Sequence, residues 1–152
     1  MSGAGATVRV EAVDAARGRA LRKAVLRPGE PPERPTYPRE DDPETLHFAA
    51  LDAAGEVLAV GSVMPEPHPH APGLGDWRIR GMATRPDKRG QDLGARVLGA
   101  LERAARERDG QRAWCNARSG ARPFYARAGY EAEGKEFEIR GIGPHYVMSK
   151  PL

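Results

Sequence analysis

WRIRGMATRPDKRGQDLGARVLGAL, residues Trp77–Leu101, opens as a short apolar run, breaks at Arg85-Pro86, crosses a basic turn with a glycine and continues as an amphipathic segment. The residue before a proline is pushed away from helical dihedrals, so the strand is expected to stop at Arg85 and the turn to run from Pro86 to Gln91. Leu93, Val97, Leu98, Leu101, Ala104 and Ala105 then recur at helical spacing, with Arg96, Glu102, Arg103, Arg106 and Glu107 on the other face. This pattern predicts a helix with one buried face. Its first turn carries amides without intrahelical acceptors and the positive end of the macrodipole, with Arg85, Lys88 and Arg89 beside it. Strand, loop and helix N-terminus together form an anion site suited to phosphate.

Composition sets limits around this unit. A chain of 152 residues is long enough for one domain with its own core. One cysteine, Cys115, excludes an internal disulfide and suits a reducing cytosol. No apolar run approaches a membrane span, and the N-terminus lacks the features of a secretion signal, so a cytoplasmic protein with no membrane partner is expected. A net charge of +3 with a pI near 9.3 is modest, and the basic balance fits a small anionic ligand at least as well as a polyanion.

Working outward, Thr7–Val13 alternates as a half-buried strand, and Asp14 is placed to cap a helix whose apolar stripe is Ala16, Ala20, Leu21, Ala24 and Val25. Pro28-Gly29 ends that helix. RPGEPPERPTYPREDDP, residues 27–43, is too rich in proline for regular structure. Leu46–Leu51 and Glu56–Met64 read as a hairpin around Asp52-Ala53-Ala54-Gly55, and Pro65–Gly75 as a second loop. Beyond the central helix come a strand at Ala113–Ala117, a short helix at Ser119–Ala128 closed by Gly129, and two strands, Glu131–Ile139 and His145–Lys150. Residues 1–6 are expected to be a disordered tail. The order is strand, helix, loop or short helix, three strands, helix, strand, helix, two strands. It predicts a single α/β domain of α+β character, with a mixed, mostly antiparallel sheet flanked by helices.

Two motifs in this order resemble a known family. Arg89-Gly90-Gln91-Asp92-Leu93-Gly94-Ala95 is similar to the acetyl-CoA loop of the GNAT superfamily of N-acetyltransferases, in which Arg or Gln is followed by two residues, Gly, any residue, and Gly or Ala. Trp114-Cys115-Asn116-Ala117-Arg118 followed by Pro123-Phe124-Tyr125-Ala126-Arg127-Ala128-Gly129-Tyr130 is similar to the family's second block. The chain endings, Glu136–Ile139 and Gly143–Met148, resemble one bacterial branch, so the resemblance spans nearly the whole chain. It implies a GNAT-type domain over residues 1–152 that transfers acetyl from acetyl-CoA to a primary amine by direct attack, with no metal.

The resemblance also implies roles for particular residues. Met82, Ala83 and Thr84 end the strand that binds the pantetheine arm through its backbone. Arg89, Gly90, Gln91, Asp92, Leu93, Gly94 and Ala95 form the pyrophosphate loop, where Gly90 and Gly94 permit close backbone approach. Asn116 offers an amide, Phe124 lines the cofactor arm or the core, and Tyr125 stands where the family often places the acid for the departing thiolate. The other reading of Tyr125 is a packed aromatic. Cys115 has no histidine near it in sequence and reads as a small buried residue. His68 and His70, in PEPHPHAP, read as solvated loop residues.

Two positions depart from the family pattern. Asp92 stands where the first motif glycine is expected, and its carboxylate favours the helix but opposes a bound phosphate. Arg80 stands where many relatives carry a glutamate that activates water to deprotonate the amine. The base is therefore sought among His145, His47, Glu44 and Glu66, with the histidines first because they titrate near working pH. Arg80 and Arg78 facing the acceptor would point to an acceptor with a carboxylate or phosphate. Two other readings stand beside catalysis. One is a CoA-binding sensor without turnover. The other is nonspecific nucleic-acid binding through Arg103, Arg106, Arg108, Arg112, Arg118, Arg122 and Arg127, against which the alternation with glutamate argues for a solvated face. No specific nucleic-acid partner is expected, and a monomer or homodimer is.

Overall fold

The computed structural model describes residues 7–152; the expectation for residues 1–6 lies outside the described residues. The elements are β1 (Arg9–Val13), α1 (Ala15–Leu26), β2 (Leu46–Leu51), β3 (Val57–Pro65), β4 (Asp76–Thr84), α2 (Leu93–Arg106), β5 (Arg112–Arg118), α3 (Arg122–Arg127), β6 (Glu131–Ile139) and β7 (Gly143–Pro151). Residues 27–45 form turns without a helix, because their prolines withhold amide donors. A seven-stranded mixed sheet in the order β1-β2-β3-β4-β5-β7-β6 carries helices on both faces. Every pairing is antiparallel except β4 with β5.

Local chemistry accounts for most element ends. The Asp14 carboxylate accepts from the Arg17 N–H at 2.8 Å and starts α1. Asp52 Oδ1 accepts from the Ala54 and Glu56 amides, both at 2.9 Å, and closes the β2–β3 hairpin. α2 buries Leu93, Val97, Leu98, Leu101, Ala104 and Ala105 against Leu58, Val63, Ile79 and Cys115 on one face of the sheet.

α1 covers the other face, and here the apolar stripe misleads. Ala16, Ala20 and Ala24 are exposed, whereas Gly18, Arg22 and Lys23 are buried. Gly18 lies so close to Val60 that an added Cβ would stand 2.4 Å from its Cγ2. Arg22 is wholly buried. It donates to Glu40 at 2.6 Å, to Ser62 Oγ at 2.9 Å and, through Nε, to the Gly81 carbonyl at 2.9 Å. Glu40 also accepts from the Thr36 amide at 2.9 Å and from Arg19 at 2.7 Å. These bonds satisfy a buried ion pair and fasten the proline-rich loop to the sheet.

Gly81 is the point where β4 changes course. The β3–β4 register slips between Val60 and Ser62, and Gly81 adopts a φ of +66°. This is a bulge, which bends and twists a strand. β4 then pairs with β5 only at Asp76–Arg78 against Arg112–Trp114, where the Gly75 carbonyl accepts from the Gln111 amide at 2.8 Å and Asp76 bridges Arg112 at 2.9 Å. Past Trp114 the two strands part, while β5 stays paired with β7 along its whole length.

Candidate active site

The gap between β4 and β5 opens a continuous cavity of about 930 Å³. Seven Lys and Arg side chains line it against one carboxylate, Asp92, so it suits an anionic ligand. The Asn116 side chain faces it with Oδ1 buried and without a hydrogen-bond partner among the described residues. An acceptor atom in that state is open to a donor from a ligand.

The cavity passes through the sheet, and its two mouths differ. On the α2 face lie the loop after β4, with Lys88, Arg89 and Gly90, the start of α2, and α3 with Phe124, Tyr125 and Arg127. Tyr125 is 7 % exposed, packs edge-on to Phe124 and Tyr130 at centroid distances of 5.0 and 5.5 Å, and its hydroxyl makes no hydrogen bond to the described residues. Burial, then the neighbouring Cys115, pushes its pKa well above the ordinary value, so its hydroxyl stays protonated. Burial likewise raises Cys115 to about 12, which leaves a thiol rather than a nucleophilic thiolate.

On the α1 face lie the end of α1 with Arg27, Tyr37 from the proline-rich loop, Arg78 and Arg80 of β4, Arg118 of β5, and His145 of β7. Register places them together: Arg80 opposes Ser62, which Arg22 of α1 contacts, and His145 opposes Arg118, which donates to the Leu26 carbonyl at 3.2 Å. His145 Nδ1 lies 2.7 Å from the Gly143 carbonyl. A carbonyl only accepts, so Nδ1 carries the proton and the Nε2 lone pair is the basic atom of the neutral ring. Arg78 donates to Glu66 at 2.9 Å and stacks over Trp114 at 4.9 Å. The Arg80 side chain has no ion pair or hydrogen bond among the described residues and stacks over Tyr37 at 4.8 Å. Burial, and then Arg78 beside it, lowers its pKa to about 10.

A family model described as "Acetyltransferase (GNAT) domain" matches residues 35–152. The chain belongs to the GNAT acetyltransferases. It is 33 % identical over 132 residues to an uncharacterized N-acetyltransferase, YitI of Bacillus subtilis (strain 168), covering 87 % of this chain and 88 % of that one. The fold also matches a Lactobacillus plantarum crystal structure of a candidate N-acetyltransferase, with a TM-score of 0.79, 19 % identity and coverage of 96 % and 99 %. An aminoglycoside 6'-N-acetyltransferase complexed with coenzyme A matches with a TM-score of 0.70, 16 % identity and coverage of 94 % and 96 %. The protein is thus an acyltransferase, and its family uses acetyl-CoA.

Of the residues expected to hold the cofactor, Met82, Ala83, Thr84, Arg89, Gly90, Asp92, Leu93, Gly94, Ala95, Asn116 and Phe124 line the cavity, and Gln91 does not. Asp92 adopts a φ of +60° and its side chain makes no capping bond. The backbone there takes a left-handed form that glycine fits best and that Asp tolerates better than most residues. Gly94 serves packing: an added Cβ would stand 3.2 Å from the Phe124 ring and 3.5 Å from Thr84 Oγ1. Arg85, grouped with the anion site from the sequence, instead turns to Asp87 at 2.7 Å.

The other base candidates lie elsewhere. His47 lines a separate pocket, and both its ring nitrogens are engaged: Nε2–H donates to the Glu40 carbonyl at 2.9 Å, and Nδ1 accepts from Ser62 Oγ at 2.7 Å. Burial lowers its pKa, so it is a neutral part of the Arg22 network. Glu66 is held by Arg78 and Arg39, and Glu44 lies in an exposed turn. His68 is not solvated: it is 3 % exposed, bonds Glu133 at 2.7 Å, and its Nδ1 accepts from the His70 and Ala71 amides at 3.1 Å. It pins the second loop, whereas His70 is exposed. Tyr37, Arg27 and Arg118 were missed as cavity residues; a tyrosine inside a proline run was the one available signal. Among the described residues no group of three or more potential ligands could hold a metal, and no helix is long and apolar enough to cross a membrane.

Proposed function

We propose that this GNAT enzyme transfers acetyl from acetyl-CoA to a primary amine by direct attack, with His145 as the base and Tyr125 as the acid. The observation that carries this reading is the opening between β4 and β5, lined by a basic loop at one mouth and by a histidine of defined tautomer at the other. The residues fit the cofactor. Lys88, Arg89 and Arg127 line the cavity and would neutralise phosphates beside the start of α2, the backbone of Met82–Thr84 lacks β5 partners, and Asn116 Oδ1 would accept from an amide N–H. When bound, acetyl-CoA supplies the activated acetyl group as a thioester.

The chain's own groups handle the protons. His145 Nε2 takes the proton that the amine loses as it forms its new bond to the acetyl carbon. Tyr125 gives its hydroxyl proton to the departing sulfur and recovers one from solvent, so thioester and amine become amide and thiol. Cys115, a buried thiol, forms no acyl adduct, which favours direct attack over a covalent relay.

His145→Gln is expected to lower kcat by about a hundredfold or more and Tyr125→Phe by about tenfold to a hundredfold. Both should keep the acetyl-CoA dissociation constant within about twofold, measured by calorimetry beside a thiol-release assay. If both variants turn over within about twofold of wild type, the acid–base assignment is wrong. If saturating acetyl-CoA leaves the melting temperature unchanged, the cofactor reading fails.

A further inference from the structure

At the α1-side mouth, Arg80 is pulled largely out of water and stacked on Tyr37, yet it has no carboxylate among the described residues. Glu66, the acidic group that acts on it most, is already bonded to Arg78 at 2.9 Å and lies 3.5 Å from Arg39. Tyr37 Oη is buried in the same wall, close to Ser62 but without a well-formed hydrogen bond among the described residues. Arg27 and Arg118 add two more cations at this mouth, and no acidic side chain lines it. A desolvated guanidinium and a desolvated hydroxyl side by side, both lacking acceptors, are an incomplete hydrogen-bonding set.

We propose that the acceptor is a small amine that also carries an oxyacid group, a carboxylate or a phosphoryl, received by the Arg80 guanidinium and the Tyr37 hydroxyl. The inference rests on the acetyl-transfer reading of the cavity and names the substrate class for it. The planar guanidinium offers paired N–H donors that match two oxygens of an oxyacid, and Tyr37 Oη–H supplies a third donor. Cations lining the mouth disfavour an ammonium there and so lower the pKa of the bound amine. His145 Nε2 then has a proton that is easier to remove. A polyamine or a simple alkylammonium has no group to offset these charges and is disfavoured by the same field.

The test pairs amines that differ only in the anionic group: phenylalanine with phenethylamine, leucine with 3-methylbutylamine, and each amino acid with its 1-aminoalkylphosphonate. Turnover is followed as thiol release from acetyl-CoA, and binding as a thermal shift in the presence of CoA. We expect anionic members to exceed their decarboxylated partners by about a hundredfold or more in kcat/KM. Preference for the phosphonate identifies a phosphoryl acceptor and the reverse a carboxylate one. Arg80→Met should bring the ratio below about tenfold while leaving the acetyl-CoA dissociation constant within about twofold. Tyr37→Phe, which keeps the ring under Arg80, should lower the ratio at an unchanged melting temperature. No preference for anionic members in either readout overturns the proposal, as does an Arg80→Met variant whose acetyl-CoA affinity falls tenfold. If acetyl-CoA binds and uncharged or cationic amines are acetylated best, acetyl transfer stands and this proposal alone fails; if acetyl-CoA does not bind, both fail.

Discussion

Replacing Asp92 by Asn should tighten acetyl-CoA binding, and the size of the effect should depend on salt in a calculable way. Asp92 is exposed, takes a left-handed conformation at the start of α2, and makes no side-chain cap, so its carboxylate has no bond to lose. Asn tolerates the same backbone conformation, which makes the substitution a change of charge alone. A carboxylate about 6 Å from each of two phosphate charges in water is opposed by roughly 0.7 kcal/mol per charge, or about 1.4 kcal/mol in all. Screening reduces this to about 1.1 kcal/mol at 10 mM salt, about 0.7 at 150 mM and about 0.2 at 1 M. The expected gains in affinity are therefore about sevenfold, about threefold and less than about twofold, read by calorimetry across that series. The melting temperature of the free protein should fall slightly, since a carboxylate near a helix N-terminus contributes about 0.3–1 kcal/mol. Unchanged or weaker binding at 10 mM would refute the reasoning, and so would a gain that does not shrink with salt.

Two further predictions test the framework that shapes the cavity. Burial raises the pKa of Glu40, but the Thr36 amide and the Arg19 and Arg22 guanidiniums more than reverse this and leave it below its ordinary 4.5. Its contribution to stability is thus complete above about pH 4.5 and is lost as pH falls through the lower folded value. Urea titrations should show the wild type losing stability below about pH 4.5. Glu40→Gln, which strands Arg22, should cost about 3–5 kcal/mol at pH 7 and flatten that acid dependence; an unchanged acid limb would show that Glu40 is not its source. At Gly81 an added Cβ would stand 2.6 Å from Arg22 Nε and 2.9 Å from Tyr37 Cε1 in a backbone with positive φ. Gly81→Ala should therefore cost about 2–5 kcal/mol, whereas Gly99→Ala, with nothing within 4 Å in α2, should gain about 0.8–1 kcal/mol. Equal melting temperatures for these two variants would rule out the strain assigned to Gly81.

Wherever a residue's role depends on its neighbours along the chain, the sequence was enough. The α2 stripe, the Asp14 cap, the Asp52 turn and the stop at Arg85-Pro86 follow from 3.6-residue periodicity, short-range side-chain bonds and proline sterics, and they placed the basic loop and its helix. Reading stopped where partners are distant in sequence. The apolar stripe of α1 gave no place to Arg22, yet Glu40 and Ser62, 18 and 40 residues away, make it a buried ion. His47 looked like a base until the Glu40 carbonyl and Ser62 took both its nitrogens, and Tyr37, an aromatic inside a proline run, did not by itself tell that its loop folds into the cavity under Arg80. The parting of β4 from β5 depends on pairing across a crossover and on a bulge, and Asn116, Arg118 and His145 face one mouth because of strand register. A one-residue slip of register would turn those side chains to the opposite face, and the strands that fix it are distant from one another in sequence.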